Sequence, residues 1–152
     1  MYDSILVPTD GSAVAENAVD HAIDLAAKYD ADLHALYVVD TSAMEISLGA
    51  EQVDRIRQGK LDQMPEVQER AKQATNSVAQ KGEEHGIEVT EAIAGGQPHD
   101  RISDYAADNG IDLIVMGSAG RGGVKRVLLG SVAERTLRST RIPVLVVDID
   151  GD

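Results

Sequence analysis

Five glycines and three basic side chains fall within the fifteen residues from Gly117 to Ser131, GSAGRGGVKRVLLGS. Glycine tolerates positive φ and lets backbone N–H groups come close to a ligand, so such a loop can form a nest for an anion. Ser131, with Glu134 three residues on, has the spacing of a capping box and predicts a helix whose N-cap is Ser131. A helix start presents unpaired N–H groups and partial positive charge, which suits a phosphate. The chemistry these residues suggest is phosphate binding through the backbone. The same composition also fits a plain surface turn, in which the glycines serve geometry alone. The loop is no Walker A sequence, since the lone Gly-Lys pair, Gly59–Lys60, stands outside that pattern, and no G-x-G-x-x-G occurs.

Charge singles out the same region. The formal net charge is −12. Between Arg121 and Arg141 lie six basic residues (Arg121, Lys125, Arg126, Arg135, Arg138 and Arg141) and one acid, Glu134, leaving 8 basic and 25 acidic residues elsewhere. A cationic segment in an otherwise acidic chain is what a site for a small polyanion requires. Arg121, Lys125 and Arg126 fit either an outer ring around such a site or a solvated rim.

The rest of the composition excludes several classes. There is no cysteine, so disulfides, thiolate metal sites and cysteine nucleophiles are ruled out. The four histidines, His21, His34, His85 and His99, show no metal-ligand spacing and read as surface or packing residues. Phe and Trp are absent, which leaves little for stacking nucleic-acid bases. The acidic surface also disfavours nucleic acid and anionic membranes as partners. No apolar run reaches membrane-spanning length, and the N-terminus lacks a signal-peptide pattern, so a soluble cytoplasmic protein is expected. The acidity, with nine Arg against five Lys, reads as adaptation to a high-salt cytoplasm, an ordinary acidic protein being the alternative.

Strand and helix patterns alternate along the chain. Ser4–Pro8 is a short apolar run ended by proline and the turn residues TDG. From Ser12 to Tyr29 apolar residues recur at helical spacing. Ala31–Val39 predicts a second strand, Ile87–Gly95 a third, Asp112–Met116 a fourth and Ile142–Val147 a fifth. A helix is expected from Pro65 to His85, closed by Gly86, and another from Pro98 to Asn109–Gly110. Thr41–Met64 reads as a connection of weak helical character. The pattern predicts an α/β fold over residues 1–152 as one unit: a doubly wound, five-stranded parallel sheet with helices on both faces. Ligands of such sheets bind beyond the carboxyl ends of the strands where the strand order reverses. Here those places are the PTDGS turn after the first strand and the glycine loop after the fourth.

Gly117-x2-Gly120-x9-Gly130-Ser131 resembles the G-x2-G-x9-G-[ST] motif of the ATP-binding universal stress proteins. The resemblance extends over essentially the full length, through ILVPTDGS, YVVD, DLIVMGS and IPVLVV. It implies strand order 3-2-1-4-5, the adenine-nucleotide alpha-hydrolase-like arrangement. It also implies that Pro8, Thr9 and Asp10 contact ribose and adenine, Asp10 accepting from ribose hydroxyls; helix capping or an Asx turn is the other role open to Asp10. Val38 matches a position that packs on the base, though a strand valine also serves as plain core. Met116 and Gly117 would line the nucleotide. Gly120, Gly130, Ser131 and Val132 would hold the phosphates, with Arg121 beside them and Mg2+ or Mn2+ on the phosphates. Ala119 stands where many members carry histidine, which removes a polar group from the loop. The strand Pro143–Val147 resembles the edge through which members form homodimers, and an exposed apolar edge favours pairing on physical grounds too; cover by the acidic tail is the alternative. The function implied is an ATP-binding regulatory module of the stress response, in a chain whose acidity suits a halophilic archaeon. Slow ATP hydrolysis and binding of AMP or cyclic AMP are the alternatives. No assembled catalytic constellation is visible.

Overall fold

The structure, a computed structural model, describes residues 1–41, 65–118 and 129–148. In β1 (Ser4–Pro8) the residues Ile5, Leu6 and Val7 are all fully buried, which requires cover on both faces. That cover comes from four helices. α1 (Ala13–Tyr29) and α2 (Pro65–Glu84) lie on one face, and α3 (Pro98–Asp108) and α4 (Ser131–Ser139) on the other. The remaining strands are β2 (Asp32–Asp40), β3 (Val89–Gly96), β4 (Leu113–Gly117) and β5 (Val144–Val147). All pairings are parallel, in the order β3-β2-β1-β4-β5. The expected doubly wound sheet is present.

The period-2 alternation of the strands builds two cores. Ile5, Val7, Leu33, Ala35, Leu113 and Val115 face α1, while Leu6, Leu36, Ile114 and Met116 face α3 and α4. Burying each large side chain of this kind contributes about 1.5–3 kcal/mol. α1 docks through Ala15, Ala18, Ala22 and Ala26, small residues that let a helix sit close to a sheet. Ser12 starts it by accepting the Ala15 amide at 3.2 Å, and Asp30 ends it in a left-handed conformation with φ 54°.

Boundaries differ from expectation by one or two residues. The third strand starts at Val89 rather than Ile87, because the Ile87 amide donates to the Gly82 carbonyl in the turn that closes α2. Gly86 supplies the positive φ, 72°, that this turn needs. The fifth strand starts at Val144, although the Pro143 carbonyl already accepts from the Ile114 amide at 3.0 Å. No helix among the described residues is long and apolar enough to cross a membrane. Of the Thr41–Met64 connection, residues 42–64 lie outside the described residues.

Candidate functional site

Between β1 and β4 the strand order reverses direction: the chain leaves β1 for α1 on one face, and α4 follows β4 on the other. The connections that leave these neighbouring strands therefore diverge to opposite faces, the arrangement that in such sheets leaves room for a ligand beyond the carboxyl ends. On the β1 side, the Thr9 amide extends the parallel ladder by donating to the Leu36 carbonyl at 2.9 Å, and Thr9 is buried. Its hydroxyl accepts from the Gly11 amide at 3.2 Å. Asp10 Oδ1 accepts the Ser12 amide at 2.9 Å, so the Asx turn open to Asp10 is made. Pro8, Thr9 and Asp10 are thus set in one tight turn, with Gly11 at φ 80° and Ser12 capping α1 immediately after.

On the β4 side, Met116 is buried and Gly117 pairs with Val147. Met116 belongs to the α3–α4 core, against which Val38 and Val132 also pack. Val38, Met116 and Val132 thus belong to one core layer, on the α3–α4 face of the sheet. Val38 is half-buried, and its packing against this core is real.

The start of α4 corrects one expectation. Gly130, not Ser131, is the N-cap, with φ −71° and ψ 163°, and no side chain caps this end. Ser131 is the first helical residue. Glu134 closes no capping box; its carboxylate pairs with Arg138 at 2.9 Å, one turn on. The physical reason is that the Gly130 amide donates to the Ser118 carbonyl, which fixes the chain one residue before the serine. The Glu134 amide, donating to the Gly130 carbonyl at 2.9 Å, makes the first helical bond. Helix geometry then leaves the N–H groups of Ser131, Val132 and Ala133 without intrahelical partners. Gly120 and Arg121 lie outside the described residues, as do Lys125 and Arg126.

Three residues that the sequence reading passed over tie this site together. Ser118, 2% exposed, donates its amide to the Val147 carbonyl and its hydroxyl to Asp148 Oδ1, both at 2.8 Å. The Asp148 carbonyl accepts from Asn17 Nδ2 at 2.6 Å. Asn17 and Asp148 are 131 positions apart, which no local pattern reveals.

The perturbed titrating groups lie elsewhere. Burial pushes the His34 imidazole below its ordinary value against the pull of Asp32, and burial raises the Tyr105 phenol. Among the described residues no three His, Asp or Glu side chains are grouped for a metal. Two open surface grooves, of about 680 and 400 Å³, lie along α2; Lys72, Thr75 and Glu91 line one, and His21, Lys81 and His85 the other. Asn17, which bonds the Asp148 carbonyl, also lines the second groove, but neither groove is lined by the Asp10 turn or the α4 start.

The sequence matches the universal stress protein family over residues 1–148. The chain belongs to that family. It is 39% identical to universal stress protein MJ0531 of Methanocaldococcus jannaschii, across 97% of this chain and 82% of the relative. It is similar to universal stress protein MJ0577 of the same organism, at 32% identity across 97% and 95% of the two chains. The solved structure of MJ0577 superimposes with a TM-score of 0.80, covering 100% of this chain and 99% of the other at 31% identity. A universal stress protein solved in complex with cAMP shares the fold, with a TM-score of 0.69, 24% identity and 97% coverage of each chain. The fold is the adenine-nucleotide alpha-hydrolase-like one expected.

Proposed function

We propose that this protein binds an adenine nucleotide, ATP foremost, across the carboxyl ends of β1 and β4, and acts as a dimeric regulatory module rather than a fast enzyme. The observation that carries the reading is the meeting of two features at the strand reversal: the Asp10 turn, and the α4 start at Gly130–Ser131. Each supplies one half of a nucleotide site.

At the α4 end, the N–H groups of Ser131 and Val132, with the Ser131 hydroxyl, donate to phosphate oxygens. The motif assigns Gly120 and Arg121, which lie outside the described residues, to the same phosphates. A helix N-terminus favours such an anion through both its dipole and its unpaired donors. At the β1 end, Pro8, Thr9 and Asp10 face the nucleoside. A carboxylate has about four acceptor positions, so Asp10 accepts from ribose hydroxyls while keeping its bond to the Ser12 amide. Val38, Met116 and Gly117 supply the floor for adenine. Mg2+ or Mn2+ is held by the phosphates, as Mg2+ commonly is, rather than by a cage of side chains.

One related structure holds cAMP, which favours a second reading in which the ligand is cyclic AMP or AMP. Backbone donors at one helix start do not count phosphates sharply, so affinity for each nucleotide must be compared directly. The dimer forms through the strand Pro143–Val147. β5 is the last strand of the sheet, and Leu145 is 37% exposed on it; a second copy pairing there removes an aggregation hazard. The acidity fits a high-salt cytoplasm, in which self-repulsion is screened.

The test is thermal unfolding with and without saturating ATP in the wild type and in Gly130→Val. A ligand bound to the folded state must raise the midpoint. The wild type is expected to shift, and Gly130→Val, which alters the backbone at the helix start, to shift much less. An unmoved wild-type midpoint sinks the reading.

A further inference from the structure

Ser118 sits at the root of the glycine loop, and its three hydrogen-bonding groups reach two distant parts of the chain, Gly130 and the Val147–Asp148 pair. Its carbonyl accepts from the Gly130 amide, so the loop that leaves the sheet after Ser118 is closed where it returns. Its amide bonds to the Val147 carbonyl at 2.8 Å, continuing the β4–β5 ladder past the strand end. Its hydroxyl bonds to the Asp148 carboxylate at 2.8 Å. The Asp148 carbonyl in turn accepts from Asn17, in the second turn of α1, at 2.6 Å. α1 begins directly after the Asp10 turn. A polar path therefore runs from α1, through Asp148 just past the end of β5, to the Gly130 amide at the start of the phosphate half.

Resting on the nucleotide reading above, we propose that the Ser118–Asp148 hydrogen bond is a clasp that positions the base of the glycine loop, holding Gly130–Val132 at the distance from Asp10 that one nucleotide spans. Ser118 and Asp148 are positioning residues and touch no ligand themselves. A phosphate cradle built from backbone donors works only if those donors are preorganised, because a misplaced N–H cannot be rescued by a rotamer. Ser118 is buried at 2% exposure while Asp148 is exposed, so the bond is shielded from water on its donor side only, and its carboxylate acceptor makes it charge-assisted. The clasp also places β5, the edge expected to pair in the dimer, in direct connection with the loop. Nucleotide bound at the loop and order at β5 then favour each other, since such coupling is reciprocal.

Two measurements on the full chain test the clasp. The first is ATP affinity, by titration calorimetry, of wild type, Ser118→Ala, Asp148→Ala, Asp148→Asn and the Ser118→Ala/Asp148→Ala double variant. A hydrogen bond to a charged group is worth enough that each alanine variant is expected to bind roughly tenfold more weakly. The losses are expected to be less than additive in the double variant, because each single variant already removes the bond the two residues share. Asp148→Asn keeps an acceptor oxygen but not the charge, so its affinity should fall between those of Asp148→Ala and wild type. Affinity in Ser118→Ala equal to wild type, losses that multiply in the double variant, or Asn as weak as Ala would each overturn the proposal. The second measurement is amide exchange at Gly130 and Ser118 in nucleotide-free protein, expected to rise at least several-fold in Ser118→Ala; unchanged exchange overturns the clasp. Failure of the wild type to bind ATP defeats the nucleotide reading alone, and the exchange result still judges the clasp.

Discussion

His34 Nδ1 lies 2.7 Å from the Tyr105 hydroxyl, joining β2 to α3 within an otherwise apolar layer. The two rings also meet edge-on, with centroids 5.6 Å apart. Burial lowers the His34 pKa from its ordinary value of about 6.5, so the folded protein resists protonating it. The unfolded chain then binds the extra proton first as pH falls, and stability rises with pH across this range. The contribution is fully present above about pH 6.5 and is lost progressively below it. Thermal midpoints at pH 7.5 and 5.5 are expected to differ more in the wild type than in His34→Gln, which keeps an acceptor but does not titrate. Equal differences in the two proteins would show that His34 plays no part.

A methyl group at position 82 has no room. A Cβ built on Gly82 lies 2.5 Å from Val89 Cγ2 and 3.2 Å from the Ile87 carbonyl oxygen. Alanine would gain about 1 kcal/mol of helix propensity. Against that, Val89 is β-branched and stiff, so α2 must shift away from β3, which costs about 1–3 kcal/mol. The clash wins. Gly82→Ala is expected to lower the melting midpoint by a few degrees, and a raised midpoint would mean that α2 moves freely on the sheet.

The Asx turn made by Asp10 and the ribose contact proposed for it are separated by two substitutions. Asparagine keeps an oxygen for the Ser12 amide, whereas alanine removes it and with it the turn before α1. Asp10→Ala is expected to lose about 1 kcal/mol of stability and Asp10→Asn little. Both should weaken ATP binding several-fold, because the carboxylate proposed to accept from ribose is gone in each. Full affinity in Asp10→Asn would confine Asp10 to the turn.

Lys81 reaches from α2 to Glu16 at 2.7 Å and to Asp20 at 3.1 Å on α1. The group is about one-third exposed, so this bridge is worth at most about 1 kcal/mol. Burial opposes its charge, but the two carboxylates outweigh it and raise the ammonium pKa. Lys81→Met is expected to cost little in dilute buffer, and less still at high salt, as urea midpoints would show. A large loss that persists at high salt would point to packing by the lysine stem instead.

The sheet was legible because its strands are short, apolar and bounded by strong punctuation. Pro8 ends the first, and Gly86 and Gly110 mark helix ends through positive φ. The α4 start was misplaced by one residue because glycine and serine are both acceptable N-caps. The choice between them is made by Ser118, twelve residues earlier, through the Gly130 amide. Nor did any pattern mark Asn17, Ser118 and Asp148, which meet only when α1, β4 and β5 are assembled. Backbone periodicity is written locally, whereas a clasp between distant loops is not.

The most direct test of the central claim is to titrate nucleotide-free protein with ATP and Mg2+ by calorimetry, at a salt concentration that keeps the chain folded. The account predicts saturable binding with one nucleotide per chain, weakened strongly in Gly130→Val. Absence of saturable heat up to millimolar ATP, with the protein shown to be folded, would contradict it.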